Sequence, residues 1–217
     1  MSTQTTTRSK AIVIPPEWVK IAIYTLGMTP AAFAFYYALT GQLGAEPIKG
    51  LEKAIGVVAL RFLVIGLAIT PIRKLMGLNL VRYRRAIGLV AFFNVLLHVI
   101  VYVWLDQDLN LAAIWKDLLK RPYITIGMIS FAILIPLAIT SNTAMIKRLG
   151  AAAWQKLHKW VYLAVPAARL HFILLVKRWP PEPLIYAAIT SALLAWRVYD
   201  AYNKPVRAPR KLQTAHE

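Results

Sequence analysis

The chain has 217 residues, 59% of them hydrophobic and 16% charged, where a soluble domain has about 45–50% and about 25%. That balance excludes a disordered chain, a collagen-like chain and an ordinary water-soluble domain, and leaves one domain that belongs in a membrane. The net charge of +17, from 26 Lys and Arg against 9 Asp and Glu, suits nucleic acid or an anionic membrane surface, and the long uncharged runs select the membrane and exclude a nucleic-acid binder.

Residues 1–17 are polar, lack a signal-peptide core of about 7–15 apolar residues, and read as a cytoplasmic tail. A bilayer core needs about 20 predominantly apolar residues per helix. Six stretches meet this: 18–39; 51–72, with Arg61 inside it; 86–105, with His98; 123–140; 157–176, with His158, Arg169 and His171; and 183–199. Residues 200–217 form a basic C-terminal tail. Between the third and fourth stretches, Leu111, Ile114, Trp115 and Leu118 recur at helical spacing, with Lys116, Asp117 and Lys120 off that stripe. This pattern predicts a short amphipathic helix lying on the outer surface.

The expected fold is therefore an all-α membrane protein, a six-transmembrane-helix bundle over 18–199. An even number of spans puts both termini on one side. The other side carries Lys49, Lys53, Lys116, Lys120, Arg121, Lys177 and Arg178; Arg61 and Arg169 lie within spans, and the other seventeen basic residues share the side of the termini. Short loops rich in Lys and Arg stay cytoplasmic, so both termini are expected there. Trp18, Trp104, Trp160, Trp179 and Trp196 fall near span ends, as interfacial aromatics do.

Polar side chains inside a membrane need a reason. His98 lies about 18 Å into the third span and His171 about 21 Å into the fifth, at 1.5 Å per residue. Both spans enter from the cytoplasm, so the two imidazoles share a depth and can face each other as axial ligands of a b-type haem. The alternative is two buried histidines bonded to neighbouring carbonyls. His158 sits at the cytoplasmic mouth of the fifth span, and a stacked haem there would need a ligand at Arg85, which is not a histidine. Thirteen helical steps also set His158 about 140° from His171, although Pro166 between them can alter that angle. His158 therefore reads equally as an inner-haem ligand, a contact to a propionate or flavin phosphate, or an interfacial residue.

Arg61 and Arg169 read as partners of haem propionates or a quinone oxygen, or as donors to carbonyls of a neighbouring span. Arg82, Arg84 and Arg85 are topogenic in the simplest reading, and can also grip an anionic cofactor. Tyr36, Tyr37 and Tyr102 read as interfacial. His216 lies in the polar tail. The absence of cysteine excludes disulfides, Cys-ligated clusters and covalent haem attachment. No nucleotide-binding or hydrolase motif occurs, so reductant must come from another protein or from quinol.

The runs LGAEP (43–47), ITP (69–71), RRAIGL (84–89), RPYITIGMIS (121–130), TSNTAM (140–145), LGAAAWQKLHKWVYL (149–163) and PLIYA (183–187), with His98 and His171, resemble the MsrQ family within the wider ferric-reductase-like transmembrane domain. The similarity runs from residue 17 to 199. It implies a haem-binding, multi-pass subunit of the bacterial inner membrane that passes electrons to MsrP, a periplasmic molybdopterin enzyme that reduces methionine sulfoxide in oxidised proteins. It also implies haem b and its iron, FMN, and electrons from the quinone pool or a cytosolic flavin reductase. By the resemblance, the haem histidines are His98, His158 and His171. Arg85 stands where relatives carry a further histidine. No FMN motif is recognisable.

Two other readings of the intramembrane polar residues stand beside this one. They are a cytochrome b subunit of another respiratory complex, and a non-redox transporter using Arg61, His98, Arg169 and His171. The outer loops, above all 106–122 with Lys116, Lys120 and Arg121, are the expected contact for MsrP.

Overall fold

The computed structural model describes residues 16–175 and 181–203, and every regular element among them is helical. The order is α1 (Pro16–Leu39), α2 (Pro47–Met76), a 3-10 turn (Val81–Tyr83), α3 (Arg84–Ile100), a π-helical extension of α3 (Val101–Asp106), α4 (Leu111–Lys120), α5 (Pro122–Ile139), α6 (Thr143–Leu149), α7 (Ala151–His158), α8 (Val161–Leu175) and α9 (Pro181–Tyr202). Residues 1–15 and 204–217 of the two tails, and Lys177, Arg178 and Trp179, lie outside the described residues.

Local chemistry sets the helix ends. Pro47 and Pro122 open α2 and α5, where a missing N–H costs nothing. Gly77 closes α2 at φ +72°, its N–H returning to the Arg73 carbonyl, the left-handed cap that glycine adopts without steric cost. The Asn110 and Asn142 side chains accept from Ala113 N–H and Met145 N–H, capping α4 and α6.

Among the described residues, four helices are long and apolar enough to cross a membrane: Glu17–Leu39, Pro47–Met76, Val81–Asp106 and Pro122–Ile139. Their outward faces are apolar too, with Leu26 71% and Trp18 65% exposed, the surface of a protein whose solvent is hydrocarbon. The helices α8 and α9 pack into the same bundle. α8 has only 15 described residues, and α9 carries Glu182, Arg197 and Asp200.

The expected fifth stretch, 157–176, is not one helix. α7 ends at His158, a turn at Lys159 and Trp160 follows, and α8 begins at Val161. The Trp154 indole donates to the Thr140 carbonyl and its ring stacks on His158. These contacts hold α7 against the end of α5 and prevent it from continuing the line of α8.

α2 is the hub. The main core joins Leu63 and Leu67 of α2 to Ala91 of α3, Leu134 and Leu137 of α5, and Ala164 and Val165 of α8. α9 runs parallel to α2: Arg61 meets Tyr186, Thr70 meets Arg197, and Lys74 meets Asp200, a nearly constant offset. Buried Asn94 ties α3 to α1 by donating to the Gly27 carbonyl at 3.3 Å. The bundle thus has an end bearing α4 and an opposite end bearing α6 and α7.

Candidate functional site

His98 falls on the last turn of α3 and His171 within α8. Each imidazole leans on the next helix. His98 Nδ1 lies 2.9 Å from the Glu52 carbonyl oxygen of α2, and His171 Nδ1 lies 2.7 Å from the Tyr123 carbonyl oxygen of α5. A carbonyl only accepts, so both Nδ1 atoms carry the hydrogen and both Nε2 atoms keep a free lone pair. The ring centroids are 6.2 Å apart with planes at 76°. Both rings line one cavity of about 410 Å³ near the α4 end, walled by apolar residues including Val57, Leu60, Leu63 and Phe172.

Two imidazole nitrogens each about 2.0–2.1 Å from one metal ion put coaxial ring centres about 6 Å apart. The observed spacing fits that arrangement. Among the described residues no group of three or more His, Cys, Asp or Glu could hold a metal ion. A bare ion would find only two protein ligands here. A haem iron, which brings four equatorial nitrogens, needs only the axial pair. The donor set therefore fits a haem and not a bare ion.

The rim of the cavity toward α4 carries Lys49, Glu52, Lys53, Tyr102 and Arg121. Lys49 pairs with Asp106 at 2.5 Å and with Glu52 at 3.6 Å, which ties the π-helical extension of α3 to α2. Tyr102 belongs to this rim and donates to Asp117 of α4 at 3.3 Å. The Glu52 and Tyr123 acceptors are backbone atoms and leave no mark in the sequence. The π-helical segment three residues past His98 was equally hidden, although such segments often sit at functional sites.

His158 is not brought to the other two histidines. It lines a second cavity, about 520 Å³, with Phe62, Phe92, Leu134, Trp154, Arg84 and Arg85. Its ring stacks on Trp154 at 3.9 Å between centroids, and its Nε2 is 3.0 Å from Thr140 Oγ1. Burial, with the Arg84 charge adding to it, lowers the His158 pKa to about 4, so the ring is neutral at physiological pH. Arg85 lines the same cavity and donates to Thr143 Oγ1 at 3.3 Å. Leu63 lines both cavities, so they adjoin within the bundle.

Arg61 and Arg169 line neither cavity. Arg61 Nε donates to Tyr186 Oη at 2.7 Å, and its guanidinium is 3.5 Å from Glu182. Arg169 donates to Ser191 Oγ at 2.6 Å and to the Ala187 carbonyl at 3.2 Å. Both join the bundle to α9. The expected amphipathic helix is present as α4, held to the bundle by Thr125 Oγ1 donating to the Leu118 carbonyl and by the Tyr102–Asp117 bond. Leu111 and Trp115 face outward with Lys116 and Lys120, while Arg121 pairs with Asp117.

Residues 54–169 match the model of the ferric reductase like transmembrane component family. Three relatives are each named as the heme-binding subunit MsrQ of protein-methionine-sulfoxide reductase. Those of Brucella ovis and Brucella canis are 51% identical over 213 residues, and that of Brucella melitensis is 50% identical. Each alignment covers 97% of this chain and 96% of the relative.

Proposed function

From the premise that the chain belongs to the ferric-reductase-like transmembrane family and to its MsrQ branch, we propose that it is a haem b-binding electron-transfer subunit of a bacterial inner membrane. It delivers electrons from the quinone pool, or from a cytosolic flavin reductase, to the periplasmic molybdopterin reductase MsrP, for repair of oxidised methionine in periplasmic proteins. In this reading α1, α2, α3, α5, α8 and α9 are six spans of one domain, 18–199. The tails 1–17 and 200–217 are cytoplasmic, and the α4 end faces the periplasm.

The facing pair of His98 and His171 carries the proposal. A haem bound between them supplies reversible one-electron chemistry at its iron. The chain's own residues do the rest. The Glu52 and Tyr123 carbonyls hold each ring in the tautomer with Nε2 free, and a hydrogen-bonded imidazole is the stronger donor. The largely apolar walls would suit the hydrocarbon face of a haem. The cavity lies beside α4, so an acceptor docked on that end meets the short route out.

The cavity of His158, Arg84 and Arg85 lies toward the donor side. Arg85 and His158 are its proposed cofactor contacts, to haem or to FMN; FMN rests on family resemblance alone. Arg61 and Arg169, occupied by α9, serve as ties between helices rather than as cofactor contacts.

The test is an oxidised-minus-reduced visible spectrum of the purified protein, followed by electron delivery to purified MsrP. A b-type spectrum and reduction of MsrP are expected. Protein purified from haem-replete cells without any haem spectrum would overturn the reading.

A further inference from the structure

The two candidate ligand histidines are seated by the same device on two different helices. His98 donates to the carbonyl of Glu52, and the residue four positions on in α2 is Gly56. His171 donates to the carbonyl of Tyr123, and the residue four positions on in α5 is Gly127. In an α-helix the carbonyl of residue i already accepts from the N–H of residue i+4, and its second lone pair is left for an outside donor. The side chain of residue i+4 stands on the same face as residue i, across the approach of that donor.

Glycine removes the obstruction. A Cβ built on Gly56 would lie 3.2 Å from His98 Nδ1, and one built on Gly127 would lie 2.8 Å from His171 Nδ1 and 3.1 Å from its Cε1. Neither glycine has the positive φ that would require glycine for its backbone, and glycine is disfavoured inside helices. Not every helical glycine here is tight: Cβ atoms at Gly66 and Gly88 would meet nothing within 4 Å. Helical Gly27 and Gly50 are tight as well, against Val90 and Leu43, but the close approach to an imidazole belongs to Gly56 and Gly127.

We infer that Gly56 and Gly127 are positioning residues for the haem ligands: each lets an imidazole lie flat enough on its helix for Nδ1–H to reach the carbonyl while Nε2 faces the cavity. The inference rests on the haem reading. It explains why two unrelated helices share a carbonyl-then-glycine spacing opposite two histidines. It also orders the two sites, because a 2.8 Å contact cannot be kept and a 3.2 Å contact can be relieved by a small shift.

The experiment uses the purified full-length protein with its haem and the variants Gly56→Ala, Gly127→Ala, His98→Ala and His171→Ala. Readouts are haem content, the low-spin electron paramagnetic resonance signal and the midpoint potential. A ligand that loses its Nδ1–H bond donates less strongly and binds ferric iron less well relative to ferrous iron. A tenfold loss of that preference moves a one-electron potential by about 59 mV, to the positive side. We expect Gly127→Ala to shift the signal and potential, or to lose haem, more than Gly56→Ala. Gly56→Ala, with the milder contact, keeps the test informative where Gly127→Ala yields no folded protein.

Unchanged haem content, signal and potential in Gly56→Ala and in folded Gly127→Ala would overturn the positioning role, while loss of the low-spin signal in the two histidine variants would leave the haem reading standing. Histidine variants that keep the wild-type low-spin signal would overturn both.

Discussion

Replacing His171 with glycine separates a haem ligand from a merely buried histidine. The substitution deletes an imidazole whose Nδ1 lies 2.7 Å from the Tyr123 carbonyl and whose centroid lies 6.2 Å from that of His98. If the ring only satisfies a carbonyl, the loss is one hydrogen bond, about 1 kcal/mol, and no change in colour. If the ring ligates iron, His98 remains as the sole protein ligand and a ring-sized gap opens beside the Tyr123 carbonyl. Haem retention then falls at least about tenfold, equivalent to about 1.4 kcal/mol, and the iron that remains is five-coordinate and high-spin. Free imidazole carries the same donor and acceptor and fits the vacated place. A tethered group acts at an effective concentration of roughly millimolar or more, so imidazole at about 10 mM should restore the low-spin spectrum. The assay is a visible and paramagnetic-resonance titration of the purified variant, repeated with His98→Gly. Six-coordinate low-spin haem in both variants without added imidazole refutes the assignment.

A reporter fused after Glu217 should be active only if it works in the cytoplasm; periplasmic activity there reverses the proposed orientation. Changing Lys116 and Lys120 to Ser should leave haem content unaltered while slowing electron delivery to MsrP and flattening its salt dependence, since exposed charges act mainly on encounter rate. Equal rates and equal salt dependence would move the docking surface to another outer loop. Arg169→Leu removes two charge-assisted bonds to α9 and should lower unfolding stability in detergent by about 2 kcal/mol or more, with the haem spectrum intact; a changed spectrum would instead put Arg169 in contact with the cofactor.

Composition alone identified a membrane protein, because an apolar outer surface is a property of the whole chain and needs no contact map. Helix existence was legible for the same reason: a span must satisfy its own backbone, so its signal is local, and the α4 stripe was read from four residues at helical spacing. The facing of His98 and His171 was also legible, since equal depth on two parallel spans limits where the rings can meet.

What the rings touch was not. Their acceptors are the carbonyls of Glu52 and Tyr123, 46 and 48 residues away in the chain, and a backbone oxygen has no sequence signature. The break at Lys159 and Trp160 comes from Trp154 and His158 docking on the end of α5, a contact between helices that no apolar window registers. Arg61 and Arg169 could have turned to a cofactor or to a neighbouring helix. Which α9 side chains they meet was set by packing: the parallel register of α9 along α2 brings Tyr186 to Arg61, and the packing of α8 on α9 brings Ser191 to Arg169, because a charged side chain among apolar helices takes a polar partner that the packing provides.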